Sequence, residues 1–309
     1  MINYILFGEY LINIIFYGII FSNKYKEQKQ IHFELEKTRK YLKAYINNDY
    51  IFKPKYRVLN ENEKQVLANV LLDLKNNNNE LYIFFKKIIL STNKANVRNL
   101  GNNIQTLKIH KENKNKLIML LKNDVTVGKY RLNKNEIFIF NNRKSTINHE
   151  LLHVSSSNPF YNAAGFNIIF DENNDLKYNE IGRGLNEGYT ELLNNRIFNN
   201  ISFSYILLNK ISYLIELLFE SKDEMKDYYF NNDIKGIIYE LNKYINDDEI
   251  IDLLFDIDEL YYCKNILLYF KIKKKLLKIY EQNKSESEIY SFKKIYHQNH
   301  IMRIIRKTL

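Results

Sequence analysis

Residues 145–154 read S-T-I-N-H-E-L-L-H-V and contain His149, Glu150 and His153 in the arrangement H-E-x-x-H. The pattern predicts a helix that begins at Ser145 as its N-cap. In a helix the two histidines lie one turn apart on one face, with about 6 Å between their Cβ atoms, which suits two imidazoles that bind one metal ion. Glu150 projects from a neighbouring direction, where its carboxylate can reach a water at the metal without being a ligand. These residues predict the centre of a zinc hydrolase.

A second motif, at residues 184–193, reads G-L-N-E-G-Y-T-E-L-L. A catalytic zinc with two protein histidines needs a third protein ligand, and a carboxylate from another helix is a known solution. Glu187 lies near the predicted start of such a helix and is our candidate for this ligand. Glu191 comes one turn later on the same face, where it can accept the free N–H of a ligand histidine and fix its tautomer. The two motifs together predict a metal site made of His149, His153 and Glu187.

The two motifs resemble those of the gluzincin metallopeptidases, in which H-E-x-x-H is followed by a distant glutamate on a second helix. The resemblance covers two short segments within residues 145–193. It implies a zincin-like α+β fold, one Zn²⁺ per chain, Glu150 as the general base, Glu191 as the carboxylate behind a ligand histidine, and a peptide or protein substrate.

The chain departs from this family in two respects. Glu187 follows His153 after a longer gap than in the thermolysin-like and aminopeptidase groups. The sequence also has no Gly-Ala/Gly-Met-Glu-Asn segment, with which aminopeptidases hold a substrate amine. Aminopeptidase specificity is therefore not implied.

Two predicted hairpins lie beside the motifs. Residues 125–132 and 136–140 flank an Asn-Lys-Asn turn just before the H-E-x-x-H helix. In zincin folds a strand at this place often forms the rim of the cleft, and its free edge can bind an extended peptide. Residues 165–170 and 176–181 flank an acidic turn and predict a second hairpin, which accounts for the long gap between the motifs.

The spacing of apolar residues from residue 201 onward is helical, with four long stretches at residues 202–220, 234–245, 248–261 and 265–280. We therefore expect a β-containing N-terminal lobe, a helical C-terminal lobe and the H-E-x-x-H helix at their junction. In chain order, the predicted divisions are a possible transmembrane helix (residues 1–22), a linker with an exposed helix (23–59), a zincin-like catalytic core (60–200) and the helical C-terminal lobe (201–309).

The composition narrows the classes of function. With 309 residues and 45% hydrophobic content, the chain can bury a substantial core. Its net charge is +10, but the basic residues are spread along the chain without a recognised nucleic-acid motif, so we expect no nucleic-acid partner. Cys263 is the single cysteine, which excludes an intramolecular disulfide.

The most apolar run occupies residues 2–21, about the length that spans a membrane as a helix. Lysines follow the run and no basic residue precedes it, so the positive-inside tendency predicts a single-pass protein with its zinc domain in the cytoplasm. Glu9 makes this a weak candidate, and a soluble cytoplasmic protein is the alternative.

Three functions stay open at this point. The first is a zinc metallopeptidase that hydrolyses peptide bonds. The second is a zinc-containing protein that binds peptides without cutting them. The third is a structural, membrane-associated helical protein whose H-E-x-x-H arose by chance.

Overall fold

The computed structural model describes residues 25–40, 43, 60–92, 99–112, 127–141, 143–170, 180–199 and 205–297. These residues form an α+β fold that is mostly helical and contains two small sheets. The α+β class predicted from the sequence is therefore confirmed. The described helices before the first sheet are α1 (residues 25–40), α2 (Glu61–Asn77), α3 (Asn79–Ser91) and α4 (Leu100–Thr106).

The first sheet contains β1 (Lys108–Lys111), β2 (Gly128–Arg131) and β3 (Glu136–Ile139), in the order β1-β3-β2. Strand β3 pairs in parallel with β1 and antiparallel with β2. The β2–β3 connection is a 3-10 turn that ends at Asn135 in the left-handed conformation (φ 51°), which asparagine tolerates better than most residues. This pair is the hairpin that the sequence predicts, and β2 is an edge strand among the described residues.

Helix α5 (Lys144–Ser155) carries the H-E-x-x-H motif and follows the first sheet directly. Its N-cap is Arg143 without a side-chain hydrogen bond, so the prediction of Ser145 as N-cap is wrong by two residues. The helix gains its stability from burial instead, because every residue from Asn148 to Ser155 is buried.

The second sheet is antiparallel and lies between the two motifs. Its strands, in the order β4-β5-β6-β7, are β4 (Ser157–Asn158), β5 (Ala163–Ala164), β6 (Asn167–Ile169) and β7 (Glu180–Ile181). Strands β6 and β7 pair as the sequence predicts for the second hairpin, although both are shorter than predicted. The acidic turn between them lies outside the described residues.

After β7, the regular elements of the described residues are all helices. Helix α6 (Arg183–Phe198), which carries the second motif, is followed by α7 (Ile206–Glu216), α8 (Lys222–Phe230), α9 (Ile234–Leu241), α10 (Asp247–Cys263), α11 (Ile266–Asn283) and α12 (Glu286–His297). One cluster of buried apolar side chains extends from Leu67 in α2 to Phe292 in α12. It surrounds the inner faces of α5 and α6, so both motifs are held by the main core.

Helix α1 packs on the outside of α10. Its Ile31 and Leu35 contact Phe255 in a small separate cluster, and His32 lies 3.1 Å from Glu259. The helix expected in this region is therefore present, and one of its faces packs on α10 while the rest is mostly exposed.

The prediction of a single-pass membrane protein is wrong for the part of the chain that the structure describes. Within the described ranges, no helix combines the length and the apolar character needed to cross a membrane. The apolar run at residues 2–21, on which the prediction rested, lies outside those ranges.

Candidate metal centre

Helix α6 packs unusually close to its neighbours because of its glycines. A Cβ on Gly184 would lie 2.3 Å from the carbonyl oxygen of Ile257 in α10, and a Cβ on Gly188 would lie 2.4 Å from that of Leu208 in α7. Any larger side chain would push α6 away from these backbones. The glycines on both sides of Glu187 therefore fix the depth at which this residue lies in the core.

The N-terminus of α6 is capped by a side chain from another helix. Its N-cap, Gly182, has φ 76° and offers no side chain. Asp258 of α10 accepts hydrogen bonds from the backbone N–H groups of Gly182 (2.9 Å) and Gly184 (2.7 Å). Asp258 thus satisfies two N–H groups that the helix itself cannot pair, and it ties the second motif to α10.

Three donor atoms from the two motif helices converge. The distances are 3.2 Å between Nε2 of His149 and Nε2 of His153, 3.0 Å from Nε2 of His149 to Oε2 of Glu187, and 3.6 Å from Nε2 of His153 to the same oxygen. All three side chains are buried. Among the described residues, they form the group of potential metal ligands whose donor atoms lie within 4.8 Å of one another.

These separations fit a zinc ion. Zinc–ligand bonds of about 2.0–2.1 Å in a tetrahedral arrangement place the ligand atoms about 3.3 Å apart. Three atoms at the observed distances lie on a circle of radius about 1.9 Å, so a point about 2.0–2.1 Å from all three exists without movement of any side chain. The side chains predicted as metal ligands are therefore brought together at the right spacing.

Glu191 lies where the sequence places it, behind a ligand histidine. Its Oε2 is 3.0 Å from Nδ1 of His149, while Nε2 of the same ring faces Glu187. A carboxylate at Nδ1 keeps the proton on that nitrogen and leaves Nε2 free for a metal. The ring of His153 is contacted from behind by the Asn186 amide, at 3.4 Å from Nδ1.

Arg183 is a site residue that the sequence analysis missed. Its Nε lies 2.9 Å from Oε1 of Glu187, so one carboxylate oxygen faces the guanidinium and the other faces the imidazoles. Burial alone would raise the pKa of Glu187, but Arg183 and then His153 hold it well below its usual range. Glu187 is therefore ionised, as a metal ligand must be. The signal in the sequence was a basic residue one helical turn before the acid.

Glu150 lies next to the three donor atoms without belonging to them. Its carboxylate lines the cleft and accepts a hydrogen bond from the backbone N–H of Tyr130 in β2. Burial raises the pKa of Glu150 to about 7, although the nearby His149 lowers it. A carboxyl group with a pKa near neutrality can both take up and release a proton, which suits a general base.

The buried charges of the site do not balance. Among the described residues, the carboxylates of Glu150, Glu187 and Glu191 oppose one guanidinium, that of Arg183. With all three acids ionised and the histidines neutral, these groups lack two positive charges. Without a metal, a proton on His149 supplies part of this charge. Burial lowers the pKa of His149, but hydrogen bonds to Glu187 and Glu191 outweigh burial and raise this pKa to about 10. A divalent cation would supply the missing charge, since buried charges persist only when paired.

A cavity of about 230 Å³ opens over the site. Its walls include Glu150, His153 and Glu187, the edge strand β2, and residues of β5 and β6. Tyr205 and Tyr261 close one side, and the ring of Tyr205 stacks on His149 with 5.5 Å between the ring centres. The site is thus buried, but reachable from one cleft.

Comparisons with protein-family models, with curated proteins and with solved structures found no match for this chain.

Proposed function

We propose that this protein is a zinc-dependent metallopeptidase of the gluzincin type with a zincin-like fold. The observation that carries the proposal is the convergence of His149, His153 and Glu187 at zinc-ligand spacing, beside the buried carboxylate of Glu150 and below an open cleft. One zinc ion per chain fits this site.

The donor set favours zinc over the common hard cations. Two imidazole nitrogens and one carboxylate oxygen are a ligand set of catalytic zinc, which keeps a fourth position open. Calcium takes six to eight oxygen ligands and magnesium an octahedral oxygen set. Arg183 holds Oε1 of Glu187, so this carboxylate offers a metal one oxygen.

Zinc held by these residues would make water nucleophilic near neutral pH and polarise the scissile carbonyl group. Glu150 then takes the proton from the attacking water and delivers it to the leaving nitrogen of the peptide. Glu191 keeps the His149 ring in the orientation and tautomer that binding requires. The cleft walls keep bulk water away from the carboxylate and hold the substrate in place.

Tyr205 is our candidate for the group that stabilises the negative charge on the carbonyl oxygen. It lines the cavity, and its ring is fixed against His149. Burial, and after it the charge of Glu187, raises the pKa of Tyr205 well above its usual range, so the phenol stays protonated and can donate a hydrogen bond. The sequence alone offers 25 tyrosines and no means of choosing among them.

The proposal is tested by metal analysis and peptide cleavage on the purified protein. We expect one zinc ion per chain, cleavage of a mixed peptide library that stops on chelation, and recovery when zinc is restored. Zinc binding without cleavage would leave a peptide-binding role. Absence of metal binding would refute the proposal.

A further inference from the structure

Edge strand β2 lies against the side of α5 that carries Glu150. A Cβ added to Gly128 would lie 2.6 Å from Oε1 of Glu150, 3.0 Å from its Cγ and 2.8 Å from Cγ2 of Thr146. The Glu150 carboxylate therefore occupies the volume that a side chain at position 128 would need. The strand comes this close to the helix because residue 128 is glycine.

The edge of β2 that does not pair with β3 faces Glu150. The backbone N–H of Phe140 donates to the carbonyl oxygen of Val127 (3.0 Å), so residues 127 and 140 form a hydrogen-bonded pair between β2 and β3. Because such pairs alternate along an antiparallel ladder, the backbone groups of Gly128 and Tyr130 point away from β3. The Tyr130 N–H uses this free position to donate to the Glu150 carboxylate.

The side chain of Tyr130 holds the same strand at a second point. Its hydroxyl group lies 3.0 Å from Oδ1 of Asn135 and 3.0 Å from Oγ of Ser157, the residue two positions after the end of α5. Asn103 donates to the same Ser157 oxygen at 2.9 Å. The strand is thus fixed to α5 at the glutamate through its backbone and beyond the C-terminus of the helix through the phenol.

We propose that β2 positions the Glu150 carboxylate: Gly128 leaves the space that it occupies, and the Tyr130 N–H holds it there. Gly128 and Tyr130 are positioning residues, which act on the reaction through Glu150. That Glu150 is a general base rests on the function proposed above, whereas its position against β2 does not.

The kinetic test is Gly128→Ala, with Arg131→Ala as the control on the exposed face of the same strand. Gly128 does not have a positive φ, so alanine fits the backbone and displaces only its neighbours. We expect kcat to fall about 10- to 100-fold, with KM within about twofold and one zinc ion still bound, because a shift of about 1 Å misplaces the base. Arg131→Ala should change none of these quantities. An unchanged kcat in Gly128→Ala would overturn the proposal.

A second test needs neither activity nor metal. Both proteins compared carry Thr146→Ser, which removes the Cγ2 atom that a Cβ at position 128 would also meet. One keeps Glu150 and the other carries Glu150→Ala, and Gly128→Ala is introduced into each. We expect Gly128→Ala to lower the midpoint of urea unfolding with Glu150 present, and at least half of this shift to disappear with Glu150→Ala. Equal shifts in both backgrounds would refute the positioning role. If the cycle behaves as expected while wild type cleaves no peptide, the proposed function fails and the position of Glu150 stands.

Discussion

Binding of a divalent cation should release protons from the side chains of the site, and the number that the side chains release should fall as the pH rises. In the metal-free protein His149 has a pKa of about 10 and Glu150 a pKa of about 7, while burial lowers the pKa of His153. A cation can bind Nε2 of His149 only when this nitrogen carries no proton, and its positive charge favours the ionised form of the nearby Glu150. At pH 6 His149 and most of Glu150 are protonated, so about two protons leave; at pH 8 only the His149 proton remains, so about one leaves.

The same protons set the pH dependence of affinity. Both pKa values are raised in the metal-free state, so protons compete with the metal and affinity rises with pH. Release of these side-chain protons alone should raise the zinc affinity about 50-fold from pH 6 to pH 7 and about 20-fold from pH 7 to pH 8. Titration calorimetry in buffers of different ionisation enthalpy measures the protons directly. Glu150→Gln is the matched control: at pH 6, where little of a zinc-bound water is ionised, it should release about one proton against about two for wild type.

Zinc binding that releases no protons at pH 6, or equal release from wild type and Glu150→Gln at that pH, would refute this proton balance. Either result would mean that the excess of buried carboxylates is not compensated by protons on His149 and Glu150 in the metal-free protein.

Three further predictions concern single side chains. His149→Ala and His153→Ala should each abolish stoichiometric zinc binding measured by metal analysis, because each removes one of three protein ligands; retention of zinc in either would exclude that ligand. Glu191→Ala should weaken zinc affinity about 10- to 100-fold in a competition titration with a chelator. A loss of affinity as large as that of Glu187→Ala would mean that Glu191 is the ligand and Glu187 the supporting carboxylate. Tyr205→Phe should lower kcat about 10²- to 10³-fold with zinc content unchanged, and full activity would remove Tyr205 from the mechanism.

The local parts of the site were predictable from the sequence because they depend on helical spacing alone. His149 and His153 share a helix face, and Glu187 and Glu191 repeat that relation on a second helix. The four long helical stretches that we expect after residue 201 also match α7, α9, α10 and α11, since their apolar periodicity is strong.

Other parts depend on the tertiary fold and leave little local signal. Tyr205 reaches the site because α7 begins beside α6, and Asp258 caps α6 from a helix more than 70 positions away. Strand β1 was missed because it pairs in parallel with β3 and has only four residues, without a hairpin turn to mark it. Helices α8 and α12 were missed as well; both carry a high proportion of charged residues and bury few side chains.

The close fit of β2 against Glu150 could not be anticipated either. Gly128 looks in the sequence like a glycine within a strand, which indicates a close approach of another group but does not say which one. The structure shows that this group is the Glu150 carboxylate.

The central claim is that this site hydrolyses peptide bonds with Glu150 as the base, and Glu150→Gln tests it most directly. The substitution keeps the shape of the side chain and all three ligands but removes the proton acceptor. We predict that the variant binds one zinc ion per chain as wild type does, while the rate of peptide cleavage falls about 10²- to 10⁴-fold. Full cleavage activity in Glu150→Gln would contradict the account.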